Sequence, residues 1–149
     1  MTRSTTTKKV ESSLNKPSKS LGIKTRVLFV CMGNICRSPM AKAVFDSMVK
    51  ASGLSDLVQA DSAGTHAFHV GEAADPRATS ASQKRGYDLS DHSARKVEMA
   101  DFSEYDYILA MDWDNLALLQ RTAPRGLQHK LQLLMRFATE YEAATINDP

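Results

Sequence analysis

The stretch Val27-Leu28-Phe29-Val30-Cys31-Met32-Gly33-Asn34-Ile35-Cys36-Arg37-Ser38-Pro39-Met40 decides how this chain is read. Its apolar run up to Cys31 reads as a buried strand. Arg37 follows Cys31 with five residues between them, and Ser38-Pro39 opens a helical pattern. A strand, a short turn and a helix N-terminus make an anion site, because successive backbone N–H groups point into the turn and the helix dipole favours negative charge. Cys31 would lie beneath the anion and Arg37 would hold two of its oxygens bidentately. Such surroundings lower a thiol's pKa and make it a nucleophile at neutral pH. The expected chemistry is attack of a thiolate on a phosphoryl group. An isolated Cys-x5-Arg would ordinarily mean a buried small hydrophobe and a surface arginine. The strand, the Ser-Pro helix start and the Gly33-Asn34 pair weigh against that. Glycine and asparagine take positive φ most readily, and a loop that turns its N–H groups inward needs such positions.

The string VCMGNICRSPMA resembles the signature of the low-molecular-weight protein tyrosine phosphatases. The similarity continues through Asp61–Ala78 (DSAGTHAFHVGEAADPRA), Asp91–Val97 (DHSARKV) and Tyr105–Leu116 (YDYILAMDWDNL), and reaches Asp148-Pro149. The resemblance therefore covers roughly residues 25 to 149. It implies Cys31 as nucleophile, Arg37 as phosphate clamp, and a loop of N–H groups over Met32, Gly33, Asn34, Ile35, Cys36 and Arg37 that cradles the phosphoryl oxygens. It gives Ser38 a hydroxyl that stabilises the thiolate, a role compatible with a helix N-cap. Asn34, Ser62 and His92 match a supporting hydrogen-bond network that holds Asn34 at positive φ. Without the resemblance, His92 beside Asp91 reads as a surface residue. Asp148 is implied as the general acid, which then serves as base toward water.

Other positions divide between chemistry and scaffold. Phe68 lies in a loop and reads as a wall of the substrate cleft, since an exposed aromatic needs something to pack on. Ile35 is the aliphatic that the resemblance associates with tyrosine phosphatases; related arginine phosphatases tend to carry threonine there. Cys36 is a second thiol within the loop, able to form a reversible disulfide with Cys31 or simply to fill space. Asp112 reads as a helix N-cap, and Asp61 and Asp75 as structural acids. His66 and His69 read as a loop near the site mouth, and His129 as surface. None has metal-ligand spacing, so neither a metal nor a cofactor is expected.

The 149 residues are 42% hydrophobic and 24% charged, the composition of one globular domain. No apolar run approaches a membrane span. Both cysteines fall in one loop, which excludes a disulfide framework and favours a reducing, cytoplasmic setting. The net charge of +2 conceals an asymmetry: residues 1–26 hold seven Lys/Arg against Glu11. Residues 1–24 read as a disordered basic tail. A transit peptide would also be basic, but arginine is scarce and an amphipathic pattern weak. The remainder is acidic and gives no case for nucleic acid.

From Arg26 strand and helix patterns alternate, an α/β chain with a parallel sheet. Strands are expected at Val27–Val30, Leu57–Ala60 and Tyr107–Met111, with a turn at Ser62–Thr65. Helices are expected at Pro39–Ser52, Ala78–Arg85 and Asp112–Arg121; the first would bury Met40, Ala43, Val44 and Ser47-Met48. Lys130–Phe137 is ambiguous by period, and the resemblance implies a fourth strand there. The resemblance also implies two aromatics and a long helix after Asp-Pro, whereas this sequence stops at Pro149, so the domain at 25–149 reads as C-terminally truncated. The expected activity is hydrolysis of phosphotyrosine in proteins, and of small aryl phosphates, with inorganic phosphate as product and inhibitor. The alternatives are an impaired phosphate-binding or phosphotyrosine-binding fragment and an arsenate reductase. The latter passes a disulfide to cysteines outside the loop, and this chain has none there.

Overall fold

Val27 to Val30 are all buried, so this strand is covered on both faces. It sits inside the sheet of a computed structural model that describes residues 24–138 and 145–147. The stretch read as a basic tail, apart from Lys24, and Asp148 lie outside those residues. β1 is Thr25–Cys31, α1 Arg37–Ala51, β2 Val58–Gly64, α2 Pro76–Lys84, α3 Met99–Glu104, β3 Tyr107–Ala110, α4 Trp113–Thr122 and β4 Leu131–Leu133. Two 3₁₀ turns, Arg125–Lys130 and Leu134–Phe137, flank β4. The strands pair in parallel in the order β2-β1-β3-β4.

The strand period of two separates the layers. Leu28 and Val30 pack with Phe102, Ile108, Ala110, Leu116 and Leu119 on one face. Val27, Phe29 and Cys31 pack with Leu109, Met111, Ala41 and Phe45 on the other. Phe29 and Phe45 meet edge to face at 5.4 Å, which ties α1 to β1. The chain moves from β1 to β2 on one side and to β3 on the other. The order therefore reverses beside β1, and in such sheets the crevice at the strands' C-terminal ends is the binding position. Cys31 ends β1, and Asp112 follows β3 at the same end.

Two expectations need correction, the expected fourth strand is present but short, and one helix was missed. The segment Ser62–Gly64 is strand, not turn: Cys31 pairs in register with Gly64, and Ser62 and Ala63 are buried under the loop. Ser47 and Met48 are exposed on α1, Met48 at 62%, because the sheet-facing row runs through Ala41 and Phe45, four residues apart. Lys130–Phe137 contributes a strand of only three residues before it winds into a 3₁₀ turn. Helix α3 was not foreseen, although Glu98 and Asp101 form a capping box at its start. Gly86 at φ 88° does follow the end of α2, the left-handed position a glycine fills without strain.

The sheet and the loop meet at Gly64. A Cβ there would lie 2.6 Å from the Met32 carbonyl oxygen and 3.1 Å from the Asn34 nitrogen. Backbone on both sides leaves no flexible group to yield. Gly64→Ala should therefore cost about 1–3 kcal/mol, the usual range for overpacking. Gly126→Ala, where nothing lies within 4 Å, is the control. Urea denaturation of both variants measures the difference, and equal stabilities would contradict the close approach.

Candidate active site

Between β1 and α1 the chain closes a loop whose carbonyl groups are drawn to its outer side. The Cys31 oxygen accepts from Thr65 N–H at 2.9 Å, Met32 from His66 at 3.0 Å and Ile35 from Asp75 at 2.7 Å. The Asn34 oxygen accepts from the His92 ring, Nε2–H, at 2.5 Å. In a trans peptide the next N–H points opposite the carbonyl. The N–H groups of Met32, Gly33, Ile35 and Cys36 are thus turned to the inner side. That side is a cleft of about 190 Å³ lined by Cys31, Gly33, Ile35, Arg37, Phe68 and Asp75, among others. A concave array of N–H donors at a helix start suits a tetrahedral oxyanion.

Asn34 organises the loop. It is the non-glycine residue at positive φ, 59°, among the described residues, and it is fully buried. Its N–H donates to Cys31 Sγ at 3.3 Å. Its Nδ2 donates to Ser38 Oγ at 2.8 Å and to Ser62 Oγ at 3.0 Å. Its Oδ1 accepts the Arg95 N–H at 2.9 Å. Ser38 Oγ in turn lies 3.1 Å from Cys31 Sγ. The Ser38 hydroxyl also reaches the Ala63 carbonyl, at a longer 3.5 Å, so a thiolate at Cys31 has two donors within reach, the Asn34 N–H and this hydroxyl. Gly33 is not at positive φ; its bare Cα instead admits His69, whose Cδ2 would stand 2.8 Å from an added Cβ.

Arg37 begins α1 and is buried. Its Nη1 donates to Asp112 Oδ2 at 2.6 Å and to the Ile146 carbonyl at 2.8 Å. The guanidinium is thus held from β3–α4 and from the segment around Ile146. Asp112 does cap α4, accepting the Asn115 N–H at 2.8 Å, but its second oxygen has this further task, which spacing in the sequence did not reveal. Asp75 caps α2 through the Arg77 N–H at 2.8 Å. That bond, with the Arg77 side chain, holds its carboxyl below the usual range.

At the rim Phe68 is 69% exposed and stacks on His66 with centroids 5.0 Å apart. His69 pairs with Glu72 at 3.0 Å. Cys31 is buried and Cys36 half-buried. The structure thus brings together Cys31, the loop from Met32 to Arg37, Ser38, Ser62, His92 and Phe68; Asp148 lies outside the described residues. Sequence reasoning did not find Gly64, Arg95 or Ile146 as neighbours of the loop. The repeated Asp-cap pattern before α4 was the one available sign for Asp112.

Comparison with known proteins gives this arrangement its relatives. The family profile described as low molecular weight phosphotyrosine protein phosphatase matches residues 26–149. A low molecular weight phosphotyrosine protein phosphatase of Drosophila melanogaster is 44% identical over 124 residues, covering 83% of this chain and 79% of that protein. Among solved structures, a protein tyrosine phosphatase of Entamoeba histolytica with Hepes in its active site superposes with a TM-score of 0.82 at 38% identity, covering 85% of this chain and 80% of that one. A Drosophila arginine phosphatase is also similar, with a TM-score of 0.76 and 36% identity over 83% of this chain and 79% of its own. With a loop of inward-turned N–H groups at the switch point of a four-stranded parallel sheet and a family profile spanning nearly all of the sequence, this chain belongs to the low molecular weight phosphotyrosine protein phosphatase family.

Proposed function

We propose that this protein hydrolyses phosphotyrosine in proteins, and small aryl phosphates, through a phosphorylated Cys31. The observation that carries the reading is the sulfur of Cys31 beneath the loop, with the Asn34 N–H at 3.3 Å and Ser38 Oγ at 3.1 Å. In the first step the thiolate attacks phosphorus; the S–P bond forms and the P–O bond to the phenol breaks. The loop N–H groups and Arg37 take up the charge on the phosphoryl oxygens. Asp148 gives the phenolate its proton, a role that rests on the family resemblance. In the second step Asp148 accepts a proton from water, water attacks phosphorus, and the S–P bond breaks. The Ser38 hydroxyl stabilises the leaving thiolate. Inorganic phosphate is the product and, because it fits the same cradle, a competitive inhibitor.

Domain and setting follow from the same reading. Residues 25–149 form the phosphatase domain and 1–24 a basic extension. A nucleophilic thiol works in a reducing compartment, which points to the cytoplasm. Among the described residues no helix is long and apolar enough to cross a membrane. Phe68 supplies an apolar wall for the tyrosine ring, and Ile35 favours an aryl over a guanidino phosphate.

Cys31→Ser should abolish turnover of p-nitrophenyl phosphate and of a phosphotyrosine peptide while phosphate binding persists, because the N–H cradle and Arg37 remain. Steady-state kinetics and phosphate titration calorimetry measure this. Wild-type turnover in the variant would remove Cys31 as nucleophile, and a wild-type chain that binds phosphate but turns over neither substrate would favour a binding fragment. A phosphoarginine peptide serves as comparator; preference for it would overturn the assignment to aryl phosphates.

Asp112→Ala should do two things. Loss of the α4 cap should cost about 1 kcal/mol of stability. Release of the Arg37 guanidinium should lower kcat/KM for p-nitrophenyl phosphate by roughly tenfold or more, the size of one lost charge-assisted hydrogen bond in the site. Thermal melting and kinetics well below the melting temperature separate the two. An effect on melting alone would confine Asp112 to capping.

A further inference from the structure

Asn34 can present its amide in two ways. Turned as it is, Nδ2 donates to both Ser38 and Ser62 and Oδ1 faces the Arg95 N–H. Rotated by half a turn, Oδ1 would face the two hydroxyls and Nδ2 would face Arg95. Serine hydroxyls donate or accept, so they tolerate either arrangement. A backbone N–H only donates. The Arg95 N–H therefore fixes the orientation, because the rotated amide would set donor against donor. The consequence reaches the sulfur. With Asn34 Nδ2 donating to Ser38 Oγ, the serine proton is left for two acceptors, Cys31 Sγ at 3.1 Å and the Ala63 carbonyl at 3.5 Å; the latter is long for an O–H···O bond, so the sulfur is the better placed. With the amide rotated, Ser38 would spend that proton on Asn34.

Arg95 lies outside the named strands and helices, and its segment meets β2 only at its end, through the isolated bridge of Lys96 to Gly64. The side chain adds a second anchor. Nη1 and Nη2 reach Asp101 of α3 at 2.9 and 3.1 Å, and Nε reaches Asp61 of β2 at 3.2 Å. Asp101 is buried, so this fork is shielded from screening. The Arg95 carbonyl accepts the Gly64 N–H at 2.8 Å, which joins the same residue to the strand under the loop.

We infer that Arg95 is a positioning residue for Cys31: clamped by Asp101 and Asp61, it sets the Asn34 amide, which aims the Ser38 hydroxyl at the sulfur. The inference rests on the proposed thiolate chemistry. Arg95 is not among the residues that line the cleft, whose charged and titratable groups besides Cys31 and Cys36 are Arg37 from α1, His69 from the loop, and Asp75 and Arg77 at α2. Its influence on the thiol runs through Asn34.

The test is Arg95→Met, with Arg95→Lys as the conservative variant. Alkylation of Cys31 by iodoacetamide is followed against pH, with fragment-ion mapping to separate it from Cys36. In Arg95→Met the rate at neutral pH should fall about tenfold, in line with one lost hydrogen bond to a charged group, and the profile should move to higher pH. kcat for p-nitrophenyl phosphate should fall more than KM rises, and Arg95→Lys should recover part of both losses. A variant that melts earlier but alkylates with the wild-type profile would overturn the inference, reducing Arg95 to scaffold. Should Arg95→Met fail to fold, Asp61→Asn removes one of the two anchors, and it must shift the profile in the same direction by less; a wild-type profile there also overturns it. Alkylation needs no substrate, so an inactive wild-type enzyme would defeat the proposed function without deciding this point.

Discussion

Asn34 stands in the left-handed region, a conformation that costs an L-residue roughly 1–2 kcal/mol. It persists because every polar atom of the residue is engaged: N–H with Cys31, carbonyl with His92, Oδ1 with Arg95, and Nδ2 with Ser38 and Ser62. Burial makes each of those bonds hard to give up, because an unpaired polar group away from water is expensive. Reversal of φ at this one residue is what turns the loop back over the sulfur. The loop's own hydrogen bonds thus hold the shape of the cleft, which lowers the cost of ordering it on binding.

The sheet supplies the positions between which this loop is strung. β1 delivers Cys31, β2 brings Ser62 and the bare Gly64, and β3 leads to Asp112, all at the carboxyl ends of parallel strands. The reversal of strand order beside β1 opens the crevice there. Small residues beneath the loop are a packing requirement: Ala63 is wholly buried, and Gly64 leaves no room for a methyl group. Arg37 is fixed by an acid and a carbonyl from two other segments, so its direction depends on the assembled domain and not on α1 alone.

Local pattern carried much of this. VLFV followed by Cys, and the tyrosine-rich run ending at Met111, read as strands because four consecutive apolar residues leave little else in an α/β chain. The loop was legible because Gly-Asn, Arg and Ser-Pro sit at spacings with a mechanical meaning. What escaped was long-range. Asp112 looked like any helix cap, since sequence does not show which cation its second oxygen meets. Gly33 looked like a positive-φ residue, yet its missing side chain makes room for His69. Ser62–Gly64 resembled a turn because small residues favour turns, while here smallness serves a strand packed beneath a loop. Met48 fell on the helical apolar row but faces a groove of about 550 Å³ that it lines with Val44 and Phe45.

Catalysis as proposed requires a covalent phosphoryl group on Cys31. Rapid acid quench of the enzyme during turnover of p-nitrophenyl phosphate, followed by peptide mass mapping at a pH where thiophosphates survive, tests it directly. The expected result is one added phosphoryl group on the peptide carrying Cys31, at its sulfur, and none when inorganic phosphate has saturated the site beforehand. A phosphoryl group on any other residue, or steady turnover with Cys31 never modified, would contradict it.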